Sequence, residues 1–178
     1  MREHYIETQI TNALIHLLKE KDLKNLTITE VCLEAEIGRA SFYRYYNSLE
    51  EVLNKKSLQL IIDWGEKLEH NPEATAQRVF ESLFEHFQEH KEFYSILYRY
   101  QLTQVILTTI KEKLELHPNL PNATAYGKSF FSYAIFGWIN EWILRGMQED
   151  PDQLNQLFKL QSNLILEIIQ QIYTLDSQ

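Results

Sequence analysis

Glycine and proline are scarce in this sequence, five and four residues respectively among 178, which excludes the turn-rich pattern of an all-β fold. Cysteine is nearly absent. The single Cys32 cannot close an intramolecular disulfide, and the N-terminus lacks the basic start, apolar run and small-residue cleavage site of a signal peptide, so a reducing cytoplasm is the expected setting. No apolar run approaches the roughly 18 to 20 residues of a membrane span, since Asn140, Glu141 and Arg145 interrupt the most hydrophobic stretch. A membrane is therefore not an expected partner. Net positive charge is also missing: the formal charge is −8. Residues 1–56 carry eight Lys/Arg against nine Asp/Glu, and the remainder nine against sixteen. Any role with nucleic acid must then rest on the local placement of cations.

What is present is apolar and aromatic, 44% and 12% of residues, enough for a sizeable core. The periodicity is helical almost throughout. Ile6, Ile10, Ala13, Leu14, Leu17 and Leu18 mark one face of a first helix. Thr27-Ile28-Thr29-Glu30 reads as a capping box that opens a short second helix with Ile28, Val31, Cys32 and Ala35 on its inner side. Glu36-Ile37-Gly38 is a tight connection, with Gly38 expected to take the unusual backbone angles, and a third helix spans about 39–46. Ser48-Leu49-Glu50-Glu51 is a second capping box before a long fourth helix. Asn71-Pro72 and Asp150-Pro151 open helices over about 72–88 and 151–174. Further helices are expected near 91–99, 102–116 and 122–147, separated by the loop His117-Pro118-Asn119-Leu120-Pro121. The fold class is thus all-α with about nine helices: an N-terminal three-helix head, residues 1–50, and a helical body, residues 51–178.

The head has the logic of a helix-turn-helix. Two short helices joined by a tight turn can offer the second to the major groove when apolar anchors hold its inner face and polar, aromatic and basic groups its outer one. Ile37, Phe42 and Tyr46 supply the anchors; Arg39, Ser41, Tyr43, Arg44 and Tyr45 occupy the remaining surface. A packed aromatic core is the alternative reading of the tyrosines, and the two capping boxes and the turn weigh against it.

The run Ile28-Thr29-Glu30-Val31 through Gly38-Arg39-Ala40-Ser41-Phe42-Tyr43-Arg44-Tyr45-Tyr46, followed by Ser48-Leu49-Glu50-Glu51-Val52-Leu53, resembles the DNA-binding signature of the tetracycline-repressor (TetR) family of transcriptional regulators. The resemblance covers about the first third of the chain. It implies a sequence-specific regulator, expected to repress, bound to a double-stranded DNA operator. It nominates Thr27, Arg39, Ala40, Ser41, Tyr43, Arg44 and Tyr45 as DNA contacts. Arg39 and Arg44 suit guanine edges, and Tyr43 and Tyr45 suit phosphates. Where the family often has a lysine just after the fourth helix's cap, this chain has Leu49, and Lys55 or its neighbour Lys56 is the candidate replacement.

Farther on, Gly137-Trp138-Ile139-Asn140-Glu141-Trp142 through Arg145-Gly146-Met147, before the Asp150-Pro151 cap, is similar to the body of TetR proteins of the dihydroxyacetone-kinase-operon regulator type, which implies dimerisation. The segment 130–147 is apolar around most of its circumference and must be covered on nearly all sides. A second copy, packed as an isologous four-helix interface through Phe136, Gly137, Ile143, Leu157, Leu164 and Ile168, is one such cover. Two recognition helices in one dimer would read a palindromic site.

Phe84, Phe87, Tyr94, Tyr98, Tyr126, Phe130 and Tyr133 are a candidate pocket for a small apolar or aromatic effector; plain core packing is the alternative. His86 and His90 stand i, i+4, but Phe87 occupies the position where a zinc-protease order needs glutamate, so surface histidines are expected and no metal or cofactor is called for. Nothing resembles a Gly-rich phosphate loop or nucleophile elbow, which argues against an enzyme. The competing reading is a TetR-like co-regulator acting through a protein partner, motivated by the missing positive charge and by Leu49.

Overall fold

The structure is a computed structural model of the protein and describes residues 2–69 and 76–161. Among them lie nine α-helices and one short 3₁₀ turn, with no strand: α1 Arg2–Leu17, α2 Ile28–Glu34, α3 Arg39–Tyr45, α4 Leu49–Glu69, α5 Ala76–Glu89, α6 Lys91–Arg99, α7 Gln104–Lys113, α8 Asn122–Leu144 and α9, 151–161. None of these helices is long and apolar enough to cross a membrane. The expected start at Asn71-Pro72 falls outside the described residues. Helix α7 is shorter than the 102–116 expected, because Leu102 and Leu116 belong to the turns that bound it.

The head packs α1 against α2, α3 and α4. Ile10, Leu14 and Leu18 of α1 meet Val31 and Cys32 of α2, Phe42 of α3 and Val52 and Leu53 of α4 in one buried cluster. The boundary at residue 50 lies within α4, which runs unbroken from the head into the body. There it contacts α5 and α7, while α8 rests on α6 and α7. The body core is aromatic. Phe84 meets Trp142 at 5.8 Å between ring centroids, Phe87 meets Tyr94 at 4.1 Å, and Trp138 meets Phe158 of α9 at 5.5 Å. One protomer covers only part of the circumference of α8. Ser132, Ile135, Ile139, Trp142 and Ile143 are buried, whereas Tyr126, Phe130, Tyr133 and Leu144 stay exposed.

The expected helix starts have the predicted chemistry with one variation. In α2, the Thr27 hydroxyl accepts from the Glu30 N–H at 3.2 Å, and the Glu30 carboxylate accepts from the Thr27 N–H at 2.8 Å. In α4, the Glu51 N–H donates to Ser48 Oγ at 3.1 Å, but the Glu51 carboxylate reaches one residue farther back, to the Asn47 N–H at 2.7 Å. In α9, Asp150 and Gln153 satisfy each other's backbone N–H.

Four of the helix ends follow one rule. Four helices close with the paired hydrogen bonds of a Schellman turn: Ile37 N–H to Cys32 O, Leu102 to Leu97, Leu116 to Lys111 and Met147 to Trp142, all 2.8–2.9 Å. Each needs a left-handed residue one position before that donor. Gly146 supplies it after α8, but Glu36, Gln101 and Glu115 supply it elsewhere, with φ of 53°, 59° and 51°. The unusual angles of the head turn, expected at Gly38, lie elsewhere: Gly38 is the extended N-cap of α3, φ −75°. The strain sits on Glu36, where a side chain costs about 1 kcal/mol relative to glycine. Glu36→Gly is therefore expected to raise unfolding stability by about 0.5–1 kcal/mol in urea titration; a loss would show that the Glu36 side chain has a compensating contact.

Candidate nucleic-acid interface

Helix α3 is anchored from within and open without. Phe42 is fully buried and Tyr46, its C-cap, nearly so; their rings lie 5.8 Å apart, and the Tyr43 ring meets Phe42 edge-on at 5.7 Å. On the other side Arg39, Ala40, Tyr43 and Arg44 are exposed, with Ser41 and Tyr45 half-buried at the flanks. The Arg39 guanidinium stands 5.9 Å from the centre of the Tyr43 ring. Such stacking holds a cation and an aromatic side by side on one surface.

Two nominated side chains have local duties. The Thr27 hydroxyl gives its proton to Glu30 at 2.7 Å, and Lys21 closes an ion pair on the same carboxylate. The Lys21 ammonium above all, then the Thr27 hydroxyl and N–H, hold the Glu30 acid at about 2, so this cap stays charged. Lys55 donates to the Tyr45 carbonyl at 2.7 Å, lies 4.8 Å from the Tyr46 ring centre and faces Glu51 at 3.6 Å. Tyr45 is the last residue of α3, where carbonyls lack helical partners, so Lys55 caps α3 as a cation suited to that end of the dipole.

The structure does not bring the seven candidate pocket residues together. Phe84, Phe87 and Tyr94 are buried in the core and Tyr98 is packed against it. Tyr126, Phe130 and Tyr133, on α8, are 72%, 60% and 53% exposed. Helical phase separates the two groups: the outward three fall i, i+4, i+7 on one stripe. Of the candidate dimer residues, Gly137 and Leu157 are exposed and Phe136 is half-buried, but Ile143 is spent inside the protomer, and Leu164 and Ile168 lie outside the described residues. The stripe Tyr126, Phe130, Tyr133, Gly137, Leu144 with Leu157 and Leu160 of α9 remains uncovered.

His86 departs from the surface position expected of it. It is buried, with Nε2 2.8 Å from the Tyr94 hydroxyl and the His90 ring 4.9 Å away. Burial foremost, then His90 and Lys67, depress its pKa to about 4 against a favourable Asp63. No group of three or more His, Cys, Asp or Glu suited to a metal ion occurs among the described residues. The sequence signal for burial was available in the phase of α5, since His86 follows Leu83 by three positions.

Residues 74–166 match a family model described as the transcriptional regulator C-terminal region of the TetR class. Over 151 residues the chain is 25% identical to the "Uncharacterized HTH-type transcriptional regulator YxbF" of Bacillus subtilis, covering 76% of this chain. The chain spans about 40% of the length of that relative. Among solved structures, Lin0861 from Listeria innocua superposes with a TM-score of 0.77 at 13% identity, over 92% of both chains. The dihydroxyacetone kinase operon activator DhaS superposes with a TM-score of 0.59 at 20% identity, over 93% of this chain and 96% of that one. These two likenesses concern the fold.

Proposed function

The chain belongs to the TetR family of transcriptional regulators, and from that premise we propose that it is a sequence-specific DNA-binding repressor, acting as a homodimer on a palindromic operator. The observation that carries the reading is the two-sidedness of α3. Phe42 and Tyr46 bury one side while Arg39, Ala40, Tyr43 and Arg44 leave the other open. Arg39 and Arg44 read base edges, Tyr43, Tyr45 and Ser41 contact phosphates, and Thr27, at the cap of α2, touches the DNA backbone. Lys55 acts by holding the end of α3, and its contact to phosphate is secondary. The family is one of regulators and not of enzymes.

The test is a fluorescence-anisotropy titration against DNA from upstream of the gene at two salt concentrations. An Arg39→Ala, Tyr43→Ala double variant is expected to lose one to two orders of magnitude in affinity, at about 1–3 kcal/mol per base contact, and to show a shallower salt dependence. Equal binding by wild type and variant, on this DNA and on randomised DNA, sinks α3 as the reader.

The uncovered α8–α9 stripe supports a two-half-site reading, because six exposed apolar side chains on two adjacent helices are a surface that a second copy would cover in an isologous dimer. Phe130→Glu with Leu144→Glu is expected to give a monomer in sedimentation velocity, with operator affinity reduced at least about tenfold as one half-site is lost. A dimer that survives both charges would place the interface elsewhere. One observation favours the second reading, a co-regulator that acts through a protein: Leu33 on α2 is 80% exposed in a head without net positive charge. Failure of DNA binding with retained dimerisation would favour it.

A further inference from the structure

A cleft of about 380 Å³ opens between α1 and α4, on the head side of the molecule. This is at the small end of the range for ligand sites, roughly 300–1,000 Å³. Its walls are unlike each other. Leu58 and Ile62 on α4, with the Tyr46 ring, provide an apolar surface. Lys55 and Lys56, one turn earlier on α4, bring two ammonium groups, while Glu7 faces them from α1. Lys56 has no hydrogen-bond or ion-pair partner among the described residues.

We propose that this cleft binds a small monocarboxylate with an apolar tail, and that the bound carboxylate draws Lys55 off the Tyr45 carbonyl and loosens the end of α3. A charge-assisted contact to Lys56 and Lys55 fixes the acid at one end, and the Leu58 and Ile62 wall takes the tail. Glu7 repels a second anionic group, which selects a monoanion. The Lys55 ammonium is the link: it lines the cleft and also donates at 2.7 Å to the last carbonyl of the recognition helix. Any anion that competes for it uncaps that helix. This second half rests on the DNA-binding reading; the site itself does not.

The test is a methyl NMR titration of the full chain, without DNA, with octanoate and in parallel with octanol. Octanoate is expected to shift the Leu58 and Ile62 methyl signals saturably, with octanol at least about fivefold weaker. Lys56→Gln should weaken octanoate roughly tenfold, the loss of one charge-assisted contact, and Leu58→Glu should abolish the shifts by setting a carboxylate on the apolar wall. Equal binding of acid and alcohol, no saturable shifts, or shifts that survive both substitutions would overturn the site. Saturating octanoate then enters the operator titration. An affinity loss of about fivefold or more in wild type, absent in Leu58→Glu when each is referred to its own ligand-free value, supports the coupling. Unchanged affinity while the methyls remain shifted overturns the coupling alone. Absence of DNA binding under every condition takes the coupling down with the DNA-binding reading, and the methyl titration still decides the site.

Discussion

Phe42→Ala is expected to cost about 3–4 kcal/mol of unfolding stability and, with it, nearly all of the operator binding proposed above, although Phe42 touches no solvent. The side chain is fully buried in the cluster that joins α1, α2 and α4, and truncating a buried phenylalanine removes both its transfer free energy and the contacts around the void. Helix α3 is seven residues long, too short to persist by itself, so its orientation depends on this anchor and on Tyr46. The expected pattern is specific. Hydrogen exchange should accelerate over 39–46 first, whereas Arg39→Ala, Tyr43→Ala should leave stability within about 1 kcal/mol, as exposed substitutions do. If Phe42→Ala keeps its urea midpoint, the anchoring argument is wrong, and any loss of DNA binding would need another cause.

The second large effect is acid sensitivity. An unfolded histidine takes up a proton near 6.5, whereas buried His86 does so only near 4. Between those values the unfolded chain binds more protons, so stability is full above pH 6.5 and is lost as pH falls through that window. From pH 7 to pH 5 the loss assigned to His86 is about 2 kcal/mol. Half-buried His90, also depressed chiefly by burial, acts in the same direction. Burial raises Tyr94 in turn, so its hydroxyl stays protonated throughout. Because the pair satisfies itself, changing one partner alone would leave the other's polar atom buried and unmet, at 1–3 kcal/mol. His86→Leu with Tyr94→Phe removes both and should be nearly neutral at pH 7 while flattening the decline. Equal declines for wild type and the double variant would exonerate His86.

Much of this architecture was legible because its signals are local. Capping boxes at Thr27 and Ser48 and the Asp150-Pro151 start depend on residues within one turn, and the all-α class followed from helical periodicity. The inward and outward sides of α3 could be read from the spacing of Phe42 and Tyr46. Residue-level faces in the body were not legible. Helix α8 is apolar on several sides, so periodicity could not say that Ile143 is buried while Tyr126, Phe130 and Tyr133 point out. A list of aromatics therefore mixed core with surface. The head turn was misread for a related reason: a Schellman turn is counted from where α2 ends, and Gly38 drew attention from Glu36, which carries the positive φ. The capping role of Lys55 could not be foreseen, since its partner is a backbone carbonyl ten residues earlier.

The three glycine-free helix ends at Glu36, Gln101 and Glu115 bear on how freely this sequence can change. Each is a site where one substitution to glycine relieves a left-handed side chain. They stand after three different helices, and for such sites gains add where no partner is shared. Together they amount to about 1.5–3 kcal/mol of unclaimed stability, comparable to the loss from a typical damaging mutation in a core. A lineage that took up those glycines could tolerate destabilising exchanges in the core that the present sequence could not. The scarcity of glycine thus narrows the range of core exchanges this fold can absorb.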